Sequence, residues 1–563
     1  MHRFFTIAAI FCIGVSAPSQ LRAAPADWEA LDALLEPYQK TDAPGISLAV
    51  SIDGQPVYHR WAGQADLALD VPIDADTRFN IASVSKQFTA FAIMMLADEG
   101  KLTLDQNVRE IIAELEARPT PVTIRHLLNH TSGLREANSL LQLTGAWESS
   151  PFLQARSLDL ILRQRGGNFP AGQRQEYSNT GYQLLAEIVA RVSGQSFTEF
   201  MRKRIFEPLG MEETFVRTDH DQIIDDLAVG YKPAGDGFAE AHMLAATYGS
   251  TGIVSSPYDL LRWAHAFETG EIGGTNVLDA MSARSKLPDG RRAIATNGQE
   301  YRDFRGLDTW SHGGSTGGFR SFLLRIPEAG MAIVVMSNRS DFLKAAFAFD
   351  VAEALLAARL EPEPATDFIP EVGTALDRYV GDYRLFAGTV FSLRRDGDDL
   401  TFATFGKDAA SPLPQIGKGV FMLNPATQLR LEFHDFADGH ATEMRWQVSA
   451  DGFIPAPRVA LQPVPQTPLD IKEIAGSYYC ETLQQVVTLF ETGGELWLRT
   501  GDGNRILLER YQRDMFRAEG PGSVSRVEIM RENGGLISGI LVSTALADNL
   551  EYRKLEDVGI ASQ

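Results

Sequence analysis

The sequence predicts an α+β protein: an antiparallel sheet flanked by helices and carrying a helical insert, followed by two small antiparallel β-barrels. Three observations predict it. Strand-like runs stand at both ends of residues 24–360, Ile46–Ser51 and Pro56–Trp61 early, Phe319–Ile326 and Met331–Ser337 late, with helical periodicity between and after them. After Glu361-Pro362-Glu363-Pro364, a stiff solvated linker, the texture changes to short alternating strands with Gly-rich turns. That later part repeats itself. Tyr379-Val380-Gly381-Asp382-Tyr383 is echoed 95 residues on by Ile474-Ala475-Gly476-Ser477-Tyr478, and Asp396-Gly397-Asp398-Asp399-Leu400 is likewise echoed, 96 residues on, by Thr492-Gly493-Gly494-Glu495-Leu496. The barrels are placed at 372–462 and 469–563, separated by Pro463-Val464-Pro465-Gln466-Thr467-Pro468.

The chain opens on Met1-His2-Arg3 and an apolar run, Phe4–Val15, too short to span a bilayer. Residues 1–23 read as a signal peptide, with a mature start near Ala24, a periplasmic or secreted location and no stable membrane anchor. Its removal takes Cys12 and leaves Cys480 alone, so no intrachain disulfide is expected. Composition is that of a soluble protein (44% hydrophobic, 22% charged), and 563 residues exceed one compact core. A net charge of −21 argues against nucleic acid or an anionic membrane as partner.

In order, Asp27–Lys40 reads as a helix capped by Asp27, and Asp53-Gly54 as the turn of the early hairpin. Val84, Phe88, Phe91 and Met95 recur at helical spacing and predict a buried helix running to Glu99. Tyr182–Val192 is a further helix, and Asp341–Leu360 a long one capped by Asp341.

Ser83 and Lys86 are three apart, so on a helix their side chains share one face. A serine hydroxyl needs a base, and lysine can be that base once burial lowers its pKa. Tyr177-Ser178-Asn179 presents a phenol and an amide on one side of an extended backbone, the first for proton transfer and the second for orienting substrate. His312-Gly313-Gly314-Ser315 leads into a strand along whose edge a substrate backbone can lie, because Gly314 adds no side chain. The Ser315 and Ser83 amides then suit an oxyanion hole. Gly313-Gly314-Ser315-Thr316-Gly317 also fits a nucleophile-elbow pattern, but strand rather than helix follows it. His126 and His130 lack the glutamate of a zinc-protease helix and read as structural.

In order, Ser83-Val84-Ser85-Lys86, Tyr177-Ser178-Asn179 and His312-Gly313-Gly314 resemble the three motifs of the penicillin-recognising serine hydrolases, in their class C β-lactamase and DD-peptidase branch. With the two barrels, the whole chain is similar to the D-stereospecific aminopeptidases of that family. The resemblance implies Ser83 as acylated nucleophile, Lys86 as its base, Tyr177 as proton carrier, Asn179 as holder of the substrate amide and His312 as tuner of the proton network. It implies no cofactor and no metal, and a small peptide, amide or ester as substrate. It further implies a barrel loop that reads the substrate amine, for which Asp514 in Tyr511-Gln512-Arg513-Asp514-Met515-Phe516 is the candidate. Many relatives carry lysine where His312 stands. A histidine, mostly neutral at pH 7, favours substrates without a carboxylate there. Arg320 is the residue that could restore that charge. The alternatives are a DD-carboxypeptidase, β-lactamase or esterase on the same site, or a non-catalytic cell-wall or peptide-binding protein. Oligomeric state, a homodimer included, stays open.

Overall fold

The computed structural model describes residues 28–555, apart from 145–150, 243–244, 363–367, 387–388, 405–409, 426, 428, 450–451, 461–469, 502, 520–523 and 533–534. The leader, the Asp27 cap, part of the 361–364 linker and the proline-rich separator lie outside the described residues.

Strands β1 (Ile46–Ile52), β2 (Gln55–Ala62), β3 (Ala295–Thr296), β4 (Gln299–Phe304), β5 (Leu307–Thr316), β6 (Phe319–Ile326) and β7 (Met331–Ser337) form one antiparallel sheet in the order β3-β4-β5-β6-β7-β1-β2. The early hairpin thus joins the late strands, β1 pairing with β7 from Ile46↔Ser337 to Ile52↔Met331. Asp53 and Gly54 turn that hairpin with φ of 49° and 72°, the left-handed pair a two-residue loop demands.

Both faces of the sheet are covered, which is why β7 reads as a nearly continuous apolar run and β1 is buried along its length, Ser47 and Ser51 included. On one face Leu48, Val50, Leu324 and Val335 pack against helices α1 (Trp28–Leu35) and α5 (Lys344–Leu356). On the other, Ala49, Leu323, Val334 and Met336 join the core of the insert, built on α2 (Ser85–Asp98), α3 (Asn179–Ser193) and α4 (Pro257–Thr269). Every residue of α2 from Ser85 to Leu96 is buried, so this helix is the centre of the unit. Phe88 stacks on Trp263 of α4 at 4.1 Å, and the Trp263 Nε1–H donates to Gln87 (2.9 Å).

Two helix ends differ from expectation. α1 gives way after Leu35 to a 3₁₀ turn, Glu36–Tyr38, because Pro37 cannot donate to the helical ladder. α5 begins at Lys344, and Asp341 does not cap it: Arg339 holds that carboxylate through two bonds of 2.8 Å.

The two later β units are both present. Strands from Gly476–Cys480 to Leu550–Lys554 close an eight-stranded barrel. Strands from Gly381–Arg384 to Gly452–Val459 make a nine-stranded sheet that curls into a half-barrel. Its edge strands, Ser411–Pro412 and Gln415–Gly417, follow one another in sequence, so the open seam falls at Pro412 and Pro414, which have no N–H to donate across it. The repeat is structural as well. Tyr383 donates to the Tyr379 carbonyl (2.9 Å) and Tyr478 to the Ile474 carbonyl (2.6 Å), and the hairpins close at Asp396↔Asp399 and Thr492↔Glu495.

The closed barrel docks on the insert. Leu140, Leu141 and Phe152 enter its core, and Arg135 donates to the carbonyls of Asp548 (2.8 Å) and Asn549 (3.0 Å).

Candidate active site

Ser83 sits on a 3₁₀ turn, Ala82–Val84, immediately before α2 rather than within its first turn. Ala82 holds a left-handed φ of 46°, and the Asn80 side chain accepts its N–H (2.8 Å). A short three-stranded sheet pairs Asn80 with Val254. Against the other side lies β5, where Gly314 passes so close that a Cβ would stand 2.3 Å from the Ile81 carbonyl oxygen. Ser321 of β6 donates to that same oxygen (2.7 Å). The nucleophile turn is thus clamped between the insert and the sheet.

Lys86 is fully buried, and burial drives its pKa well below the ordinary lysine value, opposed by the charge of Glu136. Its Nζ lies 2.7 Å from Asn179 Oδ1, 2.8 Å from the Ser250 carbonyl and 3.2 Å from Ser83 Oγ. The first two partners can only accept. A neutral amine has two N–H bonds for them and keeps its lone pair for the Ser83 O–H. That is the geometry of a general base.

Ser178 is extended (φ −143°, ψ 119°), so Tyr177 and Asn179 face the same way, and Asn179 begins α3. The Lys86 Nζ stands 4.7 Å from the Tyr177 ring centre. Burial raises the Tyr177 pKa, and the Ser83 hydroxyl, hydrogen-bonding its phenol, eases that rise. His312 is buried with Nδ1 2.8 Å from the Gly313 carbonyl, and burial lowers its pKa to about 4, with Glu300 opposing. It is therefore neutral at pH 7.

Three residues that the site uses were given no role there from the sequence. Glu136 is buried behind Asn179, accepting its Nδ2 (2.8 Å) and the Ser139 N–H (2.7 Å). Burial raises its pKa. His130, expected to be structural only, stacks on Tyr177 at 4.6 Å and accepts the Ser178 N–H on Nδ1 (3.0 Å). The Ser250 carbonyl completes the Lys86 shell.

Ser315 was expected to act through its backbone amide, and its side chain is taken up on the opposite face of β5, where Lys344 donates to it (2.7 Å). One expectation needs correction. Asp514 does not reach this site. Its carboxylate is held by Arg531 Nε at 3.1 Å, and no residue of the 511–516 turn lines the cavity of about 100 Å³ at Ser83. The barrel segment beside the site is instead 544–549, where the Leu546 carbonyl accepts the Glu136 N–H (3.2 Å). The cavity is lined by Ser83, Asn138, Asn179, Arg217, Thr247 and Thr316 among others.

A serine paired with a buried neutral amine, on a turn held against an open strand edge, is the working arrangement of a serine hydrolase, and that is the class this fold and site define. Over residues 31–358 the chain matches the family described as Beta-lactamase, and it belongs to that family. It is similar along nearly its whole length to D-aminopeptidases: 28% identical over 555 residues to one from Cereibacter sphaeroides (93% of this chain, 98% of the relative) and 27% over 559 to one from Brucella anthropi (94% and 99%). Among solved structures, D-amino acid amidase from Ochrobactrum anthropi SV3, complexed with D-phenylalanine, superposes with TM-score 0.51 at 25% identity over 59% of this chain and 99% of that one. An octameric penicillin-binding protein homologue from Pyrococcus abyssi shares the fold (TM-score 0.54, 22% identity, 85% of this chain and 99% of that one).

Proposed function

We propose that the chain is an exported aminopeptidase that releases N-terminal D-amino acids from short peptides or amides through an acyl-enzyme on Ser83. The observation that carries this is the likeness to D-aminopeptidases over 93% of the chain, both β units included. The uncharged His312 supports it, since a leaving-group carboxylate finds no fixed cation at that position. Arg320 does not replace it: it acts on Lys344, on the far face of β5.

In this reading Ser83 Oγ attacks the substrate carbonyl carbon and Lys86 takes the hydroxyl proton. The Ser83 and Ser315 amides receive the developing oxyanion. The C–N bond breaks, and Tyr177 passes the proton to the leaving nitrogen. Water, deprotonated along the same path, then attacks the ester carbonyl and frees Ser83. Asn179, fixed by Glu136 and Lys86, holds the substrate amide. The leader pattern supports export, which amino-terminal sequencing of periplasmic material tests.

Hydrolysis of D-alanine and L-alanine p-nitroanilides tests the function, with Ser83→Ala as control. Turnover of the D-form alone, lost in the variant, is expected. Equal turnover of both forms, or of neither, overturns the reading and turns attention to esters and to peptides ending in D-Ala-D-Ala.

A further inference from the structure

A second cavity, about 190 Å³, opens on the other side of Tyr177, between the catalytic sheet and the half-barrel. From the catalytic unit it is lined by Tyr177, His130 and Glu300, and from the nine-stranded sheet by Phe386, Trp446 and Ile454. The two units are tied together at its rim, where Arg291 donates to the Phe453 carbonyl (2.7 Å) and Arg302 to that of Thr427 (3.4 Å).

We propose that this cleft receives the leaving group, the residue that follows the scissile bond, and that the half-barrel is there to supply its apolar wall. The inference rests on the acyl-transfer reading above. The cavity at Ser83 includes Asn179 but not Tyr177, and the cleft includes Tyr177 but neither Ser83 nor Asn179. A leaving nitrogen must meet the Tyr177 phenol to be protonated, so the chain beyond it passes Tyr177 and enters the cleft. The strand edge leads the same way. β4 pairs with β5 only as far as Glu300↔Ser311, so His312–Thr316 has no strand on that side among the described residues.

The lining says what fits. Trp446, Phe386 and Ile454 are only partly buried in their own core and present apolar surface, which suits a bulky apolar side chain. Two charged groups line the cleft, Glu300 and Arg302, 3.3 Å apart. Of these, Glu300 acts on Tyr177 and His312, so it is the charge nearest the reacting end. A free carboxylate on the leaving residue meets it unfavourably, and an amide-capped residue does not.

The test holds the acyl part constant and varies the leaving group: D-alaninamide, D-Ala-Gly-NH₂, D-Ala-Phe-NH₂ and D-Ala-Phe with a free carboxylate. Wild-type kcat/KM for D-Ala-Phe-NH₂ exceeds that for D-Ala-Gly-NH₂ by about ten-fold, the scale of one apolar group in a pocket. Trp446→Ala collapses that ratio. Phe386→Ala lowers it too, and stands in if Trp446→Ala fails to fold. Glu300→Gln narrows the gap between capped and free D-Ala-Phe. Unchanged ratios in all three variants, with D-alaninamide still hydrolysed, overturn the cleft while leaving the aminopeptidase intact. If no D-alanyl compound is turned over, the functional reading fails instead, and the same variants are compared on phenyl and methyl acetate. There a phenyl preference lost in Trp446→Ala upholds the cleft, and an unaffected one overturns it.

Discussion

Replacing Gly314 by alanine probes the clamp that aims Ser83. An ideal Cβ at this position stands 2.2 Å from Ser321 Oγ, 2.3 Å from the Ile81 carbonyl oxygen and 3.0 Å from Ala82 Cβ. The serine can rotate away at the loss of its bond to Ile81, but the carbonyl is backbone. Carbon and oxygen settle no closer than about 3.3 Å, so the Ile81–Ser83 turn must retreat from β5 by about 1 Å. A displacement of that size at reacting groups costs about 100-fold in rate, equivalent to about 2.7 kcal/mol of transition-state stabilisation. Overpacking costs a further 1–3 kcal/mol or so of folding stability. The assay is kcat/KM on a p-nitrophenyl ester beside a urea titration. Pairing the change with Ser321→Gly removes the first clash and leaves the second, so activity stays low. Near-wild-type activity in folded Gly314→Ala would refute the clamp.

Other expectations follow from single groups. As Lys86 must be neutral to accept the Ser83 proton, kcat/KM rises with pH along a limb below the ordinary lysine range; Glu136→Gln, which removes the charge that raises the Lys86 pKa, moves that limb to lower pH. His312, at about 4 in the fold against an ordinary 6.5, stays neutral while the unfolded chain takes up a proton. Stability therefore falls as pH drops from 6.5 to 4, by about 3 kcal/mol at most, and thermal melts of His312→Asn show a flatter slope in that window. Arg135→Ala strips two barrel carbonyls of a charged donor and lowers stability by roughly 3 kcal/mol in urea.

Much of this was legible because it is periodic or punctuated. Strands buried on both faces, such as Met331–Ser337, have to be unbroken apolar runs, and the Asp53-Gly54 turn names its own hairpin. Ser83, Lys86, Tyr177 and Asn179 come together because a helix start and an extended tripeptide fix their directions locally. What was not legible depends on contacts between distant segments. Nothing around Leu134-Arg135-Glu136 distinguishes a buried carboxylate from a solvated one; the barrel carbonyl at Leu546 and the Asn179 amide decide it. The Ser315 side chain faces away because alternation along β5 gives the near face to Gly314. Asp514 looked available, but its fate was set by Arg531, one strand away in the barrel. The half-barrel resembles its repeat partner in pattern and stops closing at two prolines whose effect needs the neighbouring strand to be known.

The central claim is that Ser83 carries the acyl group. The most direct measurement is intact-mass and peptide mapping of protein quenched during turnover of D-alanine p-nitrophenyl ester, with Ser83→Ala in parallel. The account predicts one D-alanyl group per chain, on the peptide holding Ser83 and absent from the variant. An adduct on any other residue, or a Ser83→Ala protein that turns the ester over at the wild-type rate, would contradict it.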